Sequence, residues 1–268
     1  MAALRPFLTV LMPAYNEEAG LAHNVGLLLG RLDEVDVNVE LLIVDDGSRD
    51  RTGEIADELA ARYDQVRAVH HPVNRGIGAG FVTGVAQARG EWLILIPADL
   101  ALDLNELPRY LEAAPAADIV VGIRSDRSDY TPFRLLVSWI NIHLIQVLFG
   151  MKQRQFNYIS MYRLEVLREI EIEYWQSAFF FAEIMIKAQA LGRRLVEVEI
   201  RYVPRTTGRA TGAKAGLIAR TVRDMLHFWL RWVRQGPASV SLSRDRQIPP
   251  ARRRIWRSAV SRITKGKE

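Results

Sequence analysis

Short apolar runs rich in β-formers recur along the first 125 residues, and each is followed by a stretch in which apolar positions return every three or four residues. The runs at 7–12, 41–44 and 92–96 are nearly continuous rather than alternating, as expected of strands buried on both faces. Leu21, Val25, Leu28, Leu29 and Leu32 then share one face of a helix. The pattern predicts strands near 7–12, 39–45, 66–71, 91–96 and 118–122, with helices near 17–32, 51–63, 76–88 and 104–114. Such alternation predicts an α/β chain with a largely parallel sheet, its first units forming one nucleotide-binding half of a doubly wound fold. Beyond about residue 123 the alternation stops. A polar loop at 124–131 leads into an apolar helix over 135–151, a strand-like segment at 157–163, a helix near 179–191, a strand at 194–202 and a helical stretch at 217–234. Breaks at Gln235-Gly236-Pro237 and Pro249-Pro250 suggest a body over 1–212 and a C-terminal helical, amphipathic appendage over 213–268.

The predicted strand ends carry the chemistry. The second strand runs into Asp45-Asp46-Gly47-Ser48-Arg49-Asp50-Arg51-Thr52, with Asp50 placed to cap a helix starting near Arg51. The first runs into Pro13-Ala14-Tyr15-Asn16-Glu17-Glu18. Ligands of open α/β sheets bind outside the carboxyl ends of the strands, where carboxylates accept hydrogen bonds from a base or ribose or hold a metal. Alone, the Asp45–Thr52 segment can also be read as a surface turn ahead of a capped helix. Gly76, Gly78 and Gly80 follow the third strand rather than the first, where the dinucleotide pattern would have them. That excludes a dinucleotide fingerprint and leaves close helix packing as the reason for the glycines.

Taken in order, Pro13-Ala14-Tyr15-Asn16-Glu17-Glu18, Val44 to Thr52, Asn74 to Gly80 and Ala88-Arg89-Gly90-Glu91 resemble the family 2 glycosyltransferases of GT-A fold, and within them the dolichol- and polyprenyl-phosphate sugar transferases. The resemblance spans roughly residues 5–230. It implies a GT-A (Rossmann-like) mixed sheet flanked by helices, and inverting transfer from a nucleotide-diphosphate sugar to a polyprenyl phosphate. It implies nucleotide-sugar contacts at Pro13, Ala14, Tyr15, Glu17, Asp45, Asp46, Gly76, Ala98 and Asp99. Arg124 and Arg134 resemble the acceptor-phosphate arginines, and Arg205 lies in a segment like the loop that folds over the diphosphate. The fourth strand should end in Asp-Ala-Asp, but here it ends in Pro97-Ala98-Asp99, with Ala101 where a Gln is common. A divalent cation (Mg2+ or Mn2+) would then rest on Asp99 alone among those positions. Asp103, one turn on, is expected to start the next helix. A saccharide acceptor would need a carboxylate base such as Asp103 or Glu183. Pro97 also leaves open a catalytically weak nucleotide-sugar-binding protein.

Composition narrows these classes. The 268 residues are 49% hydrophobic and 25% charged, ordinary for a globular chain. With no cysteine, disulfides and thiolate metal sites are excluded, and five scattered histidines make no zinc pattern. Arg5 and Pro6 interrupt the start, so no secretory signal is expected and a cytoplasmic setting follows. The charge is uneven: from Arg244 onward nine Lys/Arg face only Asp245 and Glu268, whereas the whole chain is only +5. Ile255, Trp256, Ala259, Val260 and Ile263 would give a helix there one apolar and one cationic face, the pattern of a helix lying in a membrane interface. The tail is expected to meet an anionic membrane surface, placing the protein peripherally on the inner face of the plasma membrane, and no nucleic acid is expected. The 135–151 stretch carries Ser138, Asn141, His143 and Gln146 and is shorter than a span needs. It is expected to rest on a bilayer or to pack on the protein's own core.

Overall fold

The computed structural model describes residues 7–35, 37–100, 102–126, 130–201 and 215–236. Arg205 and the basic tail beyond Arg244 lie outside them. The strands are β1 Leu8–Ala14, β2 Val39–Asp45, β3 Val66–His70, β4 Trp92–Leu95, β5 Ile119–Arg124, β6 Ser160–Arg163 and β7 Leu195–Ile200. The helices are α1 Leu21–Glu34, α2 Thr52–Arg62, α3 Ile77–Gln87, α4 Leu107–Ala113, α5 Pro132–Phe149, α6 Leu164–Glu169, α7 Phe180–Ala190 and α8 Ala215–Gln235. The seven strands form one sheet in the order β3-β2-β1-β4-β6-β5-β7. Every pair is parallel except that β6 runs antiparallel to both β4 and β5. The mixed, helix-flanked sheet expected from the resemblance is therefore present.

Continuous apolar runs put both faces of the central strands in the core. Leu8, Val10, Leu11 and Met12 are buried on β1, as are Leu41 to Val44 on β2 and Trp92 to Leu95 on β4. The odd–even alternation separates two cores: Leu11, Leu42, Val44 and Leu93 pack with α3, α6 and α7, while Val10, Met12, Leu41, Ile43 and Ile94 pack with α1 and α2. β1 runs two residues past the predicted end and includes Pro13. Leu11 faces β4, accepting the Ile96 amide at 2.9 Å, and residue 13 faces the same way, past the last β1–β4 pair at Leu11 and Leu95. The proline thus lacks an N–H only where no ladder partner stands.

Helix α1 starts four residues later than expected, because Glu17 to Gly20 form a turn in which the amides of Gly20 and Leu21 donate to the Glu17 carbonyl. The glycines of α3 serve packing, as expected: a Cβ on Gly78 would lie 1.8 Å from the Trp175 carbonyl oxygen, and one on Gly84 would overlap Leu11. Helix α6, absent from the sequence reading, is a short turn directly after β6 that buries Leu164, Val166 and Leu167.

Helix α5 settles one open alternative. Only 11% of it is buried, and among the described residues it is the one helix long and apolar enough, by length and composition, to cross a membrane. Ile145 and Phe149 anchor its C-terminal half, while Phe133, Leu136, Trp139 and Val147 are exposed. The reading of this stretch as core packing is therefore corrected for its N-terminal half. Helix α8 buries Met225 and Phe228 against Phe149, Phe179 and Tyr174, and exposes Val222, Leu226, Leu230 and Val233 along another face.

Candidate active site

The carboxyl ends of β1, β2 and β4 lie side by side, and β1 and β4 diverge in connectivity there, making the switch point where open α/β sheets take their ligands. Pro13, Ala14, Tyr15 and Glu17 follow from β1, Asp45 and Asp46 from β2, and Pro97, Ala98 and Asp99 from β4. The structure thus brings the sequence-predicted donor residues to one edge of the sheet.

The first two loops hold each other in place. The Asn16 amide donates to Ser48 Oγ at 3.0 Å, and the Arg49 amide returns to Asn16 Oδ1 at 2.9 Å. The Glu17 amide donates to Thr52 Oγ1 at 2.7 Å. The Glu18 amide donates to Asp50 Oδ2, and Glu18 Oε2 accepts from the Arg51 amide. Asp50 also accepts the Thr52 amide at 3.0 Å, but it is not the N-cap expected of it: α2 starts at Thr52, with Arg51 at the N-cap position. Burial alone would raise the Asp50 pKa, but the hydrogen bonds from Thr52 and Glu18 outweigh it and hold the carboxyl below its ordinary value. Much of the sequence signature here is a brace between loops. Gly47, at φ +70°, lets this turn pass the Val73 backbone, which a Cβ would approach to 2.4 Å.

Asp45 and Asp46 are both buried and already engaged. Asp45 Oδ1 accepts the Ser48 amide, and Oδ2 faces His70 Nδ1 at 3.2 Å. Burial would lower the His70 pKa, but Asp45 and Asp57 on its two ring nitrogens raise it overall. Asp46 Oδ1 meets His71 Nδ1 at 2.7 Å, and its two oxygens accept the amides of Arg75 and Gly76. His71 Nε2 in turn meets Thr83 Oγ1 at 2.9 Å. The buried Thr83–His71–Asp46 chain therefore ties α3 to the loop before it and fixes Gly76, at φ +89°, beside the strand ends. Sequence reading missed His71 and Thr83.

The β4 end is tied to α1. Asn24 Nδ2 on α1 donates to the Ala98 carbonyl at 2.7 Å. Leu100, directly after Asp99, sits at φ +47°, a left-handed conformation costing a leucine on the order of 1–3 kcal/mol. Asp103 accepts the Asn105 amide at 3.0 Å and caps a short 3-10 turn, as expected. Among the described residues no three His, Asp or Glu side chains converge to hold a metal. The residues fit a cation only where Asp99 and a ligand's diphosphate oxygens share it, an arrangement usual for Mg2+.

From this edge a cleft of about 600 Å3 runs between α5 and α8. Ile77 and Pro97 stand at its donor end, and Leu144, Phe181, Ile218 and Val222 among its apolar walls. Arg124 and Arg134 both line it. Arg124 is buried at the end of β5, its backbone N–H and C=O both bonded to the Gln155 side chain and its Nε donating to the Asp126 carbonyl. Arg134 projects from the first turn of α5, whose N-cap is Thr131. Each guanidinium carbon approaches the Tyr130 ring centroid, at 4.9 Å for Arg124 and 3.8 Å for Arg134.

Glu183, considered as a base for a saccharide acceptor, is fully buried on α7. Its carboxylate accepts Lys187 Nζ at 2.7 Å and the amides of Glu173 and Tyr174. Burial pushes its carboxyl up even beside Lys187. A group sealed in this way reaches no acceptor, so that assignment is corrected.

Three comparisons with known proteins follow the same lines. Residues 9–181 match the model of Glycosyl transferase family 2. The undecaprenyl-phosphate mannosyltransferase of Micrococcus luteus is 30% identical over 83% of this chain and 94% of its own length. The polyprenol monophosphomannose synthase of Mycolicibacterium smegmatis is 32% identical over 74% of this chain and 78% of its own. Against the undecaprenyl-phosphate 4-deoxy-4-formamido-L-arabinose transferase of Edwardsiella ictaluri the identity is 32% over 76% of this chain, which spans only 62% of that longer protein. Among solved structures, glucosyl-3-phosphoglycerate synthase from Mycobacterium tuberculosis, in complex with Mn2+, UDP-glucose and phosphoglyceric acid, superposes with TM-score 0.65 at 18% identity, covering 83% of this chain and 79% of that one. That likeness shows a shared fold.

Proposed function

The chain belongs to glycosyl transferase family 2, and from that premise we propose that it moves a sugar from a nucleotide-diphosphate sugar to a polyprenyl phosphate. The observation that carries this reading is the cleft itself: apolar walls for a hydrocarbon chain and Arg124 and Arg134 for a phosphate, opening at Pro97 toward the donor edge. The relatives named as undecaprenyl-phosphate and polyprenol transferases support it.

In this reading an oxygen of the acceptor phosphate attacks the anomeric carbon as the bond to the donor's β-phosphate oxygen breaks. The nucleoside diphosphate leaves and the configuration inverts. A phosphate monoester is largely ionised at neutral pH, so the attack needs no carboxylate base. That agrees with Glu183 sealed in its ion pair and Asp103 capping a turn. Arg124 and Arg134 hold the acceptor phosphate through paired N–H donors. Pro13, Ala14, Tyr15, Glu17, Asp45, Asp46, Gly76 and Ala98 form the nucleotide-sugar wall, and Asp99 orients the diphosphate. A divalent cation bound by Asp99 and the diphosphate would supply leaving-group stabilisation.

The test is transfer of label from UDP- or GDP-sugars into organic solvent with short-chain polyprenyl phosphate. Arg124→Ala and Arg134→Ala should each raise the acceptor KM roughly 10- to 100-fold, in line with loss of a charged hydrogen bond of about 1.5–3 kcal/mol, with little change for the donor. Donor-only effects, or no lipid product, would overturn the acceptor assignment.

We also propose peripheral attachment to the cytoplasmic face of a membrane, supported by the exposed side chains of α5 and the composition of the basic tail. Each Lys or Arg near an anionic surface contributes about 1 kcal/mol, decaying over a Debye length of about 8 Å. The protein should pellet with anionic liposomes, more weakly at high salt, and removal of residues 244–268 should abolish pelleting while sparing nucleotide-sugar binding. Full pelleting of the truncated chain would move the anchor to Phe133, Leu136 and Trp139 on α5.

A further inference from the structure

We propose that Tyr130 is a positioning residue for the acceptor phosphate, acting through Arg124 and Arg134. This rests on the acceptor reading above and goes one step beyond it. The two guanidinium groups come from different elements, one from the end of β5 and one from the first turn of α5, and both converge on the same ring at 4.9 and 3.8 Å. Tyr130 lies immediately before Thr131, the N-cap of α5, and lines the cleft with both arginines.

The electrostatics favour such a ring. The N-terminus of an 18-residue helix carries partial positive charge, and Arg134 in the first turn adds a full one where an acidic residue would normally be favoured. Arg124 adds a second. Two like charges brought close to one helix N-terminus repel each other. The face of an aromatic ring attracts a guanidinium without itself carrying a charge. Arg124 is fixed by its own backbone bonds to Gln155 and by Asp126, whereas Arg134 stands on an exposed turn. The ring therefore holds Arg134 at a set separation from Arg124 before substrate binds, and the pair forms a site for a doubly charged phosphate monoester.

Two variants separate the ring from its hydroxyl. Tyr130→Phe should keep acceptor KM within about twofold of the parent protein. Tyr130→Leu should raise it roughly 5- to 30-fold, the loss of one to two cation–π contacts, with donor KM unchanged. In an Arg134→Ala background Tyr130→Leu should cost less than it does alone, because one of the two groups it positions is gone. Tyr130 is half-buried, and thermal unfolding of the Leu variant checks that the fold survives. The proposal is overturned by an unchanged acceptor KM in Tyr130→Leu, by equal loss in Tyr130→Phe, by a matching rise in donor KM, or by full additivity with Arg134→Ala. If Arg124→Ala and Arg134→Ala themselves leave acceptor KM untouched, it is the acceptor reading that fails. If they raise it and Tyr130→Leu does not, only the role of Tyr130 falls.

Discussion

Asp99→Ala should slow sugar transfer by roughly 100- to 1,000-fold, the scale seen when one preorganised stabiliser of transition-state charge is removed. Pro97 stands where a second carboxylate would help, so Asp99 is the one acid of Pro97-Ala98-Asp99 at the end of β4. Its neighbours are fixed: Asn24 holds the Ala98 carbonyl, and Leu100 is kept in a left-handed conformation. The substitution therefore removes a charge while the Asn24 bond to the Ala98 carbonyl remains. Donor affinity by calorimetry should fall much less than the single-turnover rate. With one protein carboxylate available, the dependence on added Mg2+ or Mn2+ should also be shallow. Activity within about threefold of the parent protein in the presence of a chelator would place the leaving-group charge on arginines instead.

Lys187→Met should cost about 3–5 kcal/mol of folding stability, the usual cost of leaving one member of a buried ion pair without its partner. Glu183 and Lys187 are wholly buried one helical turn apart on α7, and Lys187 also donates to the Glu171 carbonyl at 2.6 Å. Without the ammonium, the Glu183 carboxylate keeps only the amides of Glu173 and Tyr174. Burial already raises the Glu183 pKa, and loss of Lys187 raises it further. A carboxyl whose folded pKa is raised favours the folded state at low pH, and that stability is lost as pH rises through the folded value. The deficit of Lys187→Met should accordingly shrink between pH 7.5 and 5.5 in urea melts. Glu183→Leu combined with Lys187→Met should recover most of the loss. A variant as stable as the parent protein at pH 7.5 would show that water reaches this pair.

The donor half was legible because its signals are local. Runs such as Leu41 to Val44 cannot be placed anywhere but in a two-sided core, and their ends deliver Asp45 and Asp46 in plain sight. What those acids touch is set by strand register, which local pattern does not carry. β2 and β3 pair with Asp45 opposite His70, and so Asp46 comes to lie beside His71. The doublet His70-His71 after an apolar run was the available clue. The Glu183 misassignment has a similar origin. A carboxylate and an ammonium four apart on an apolar helix are a buried pair as readily as a base, and only burial decides. Helix α5 was legible as a helix but not as an exposed one, because its apolar residues surround the axis and give no preferred face. Tyr130 carried no signal at all in a polar loop, since its meaning depends on two arginines brought to it by separate elements.

The reciprocal bonds between the loops after β1 and β2 bear on the thermodynamics of substrate capture. Backbone amides of Asn16, Glu17 and Glu18 are taken up by Ser48, Thr52 and Asp50, so these residues give up their conformational entropy when the chain folds. A nucleotide sugar arriving at this edge meets walls that need no ordering, and its intrinsic affinity is expressed undiluted. The acceptor end is built differently, on a helix whose first half is largely exposed. The two substrates of one reaction therefore enter under unequal entropic terms, one at a preformed wall and one at a mouth whose rigidity depends on its surroundings.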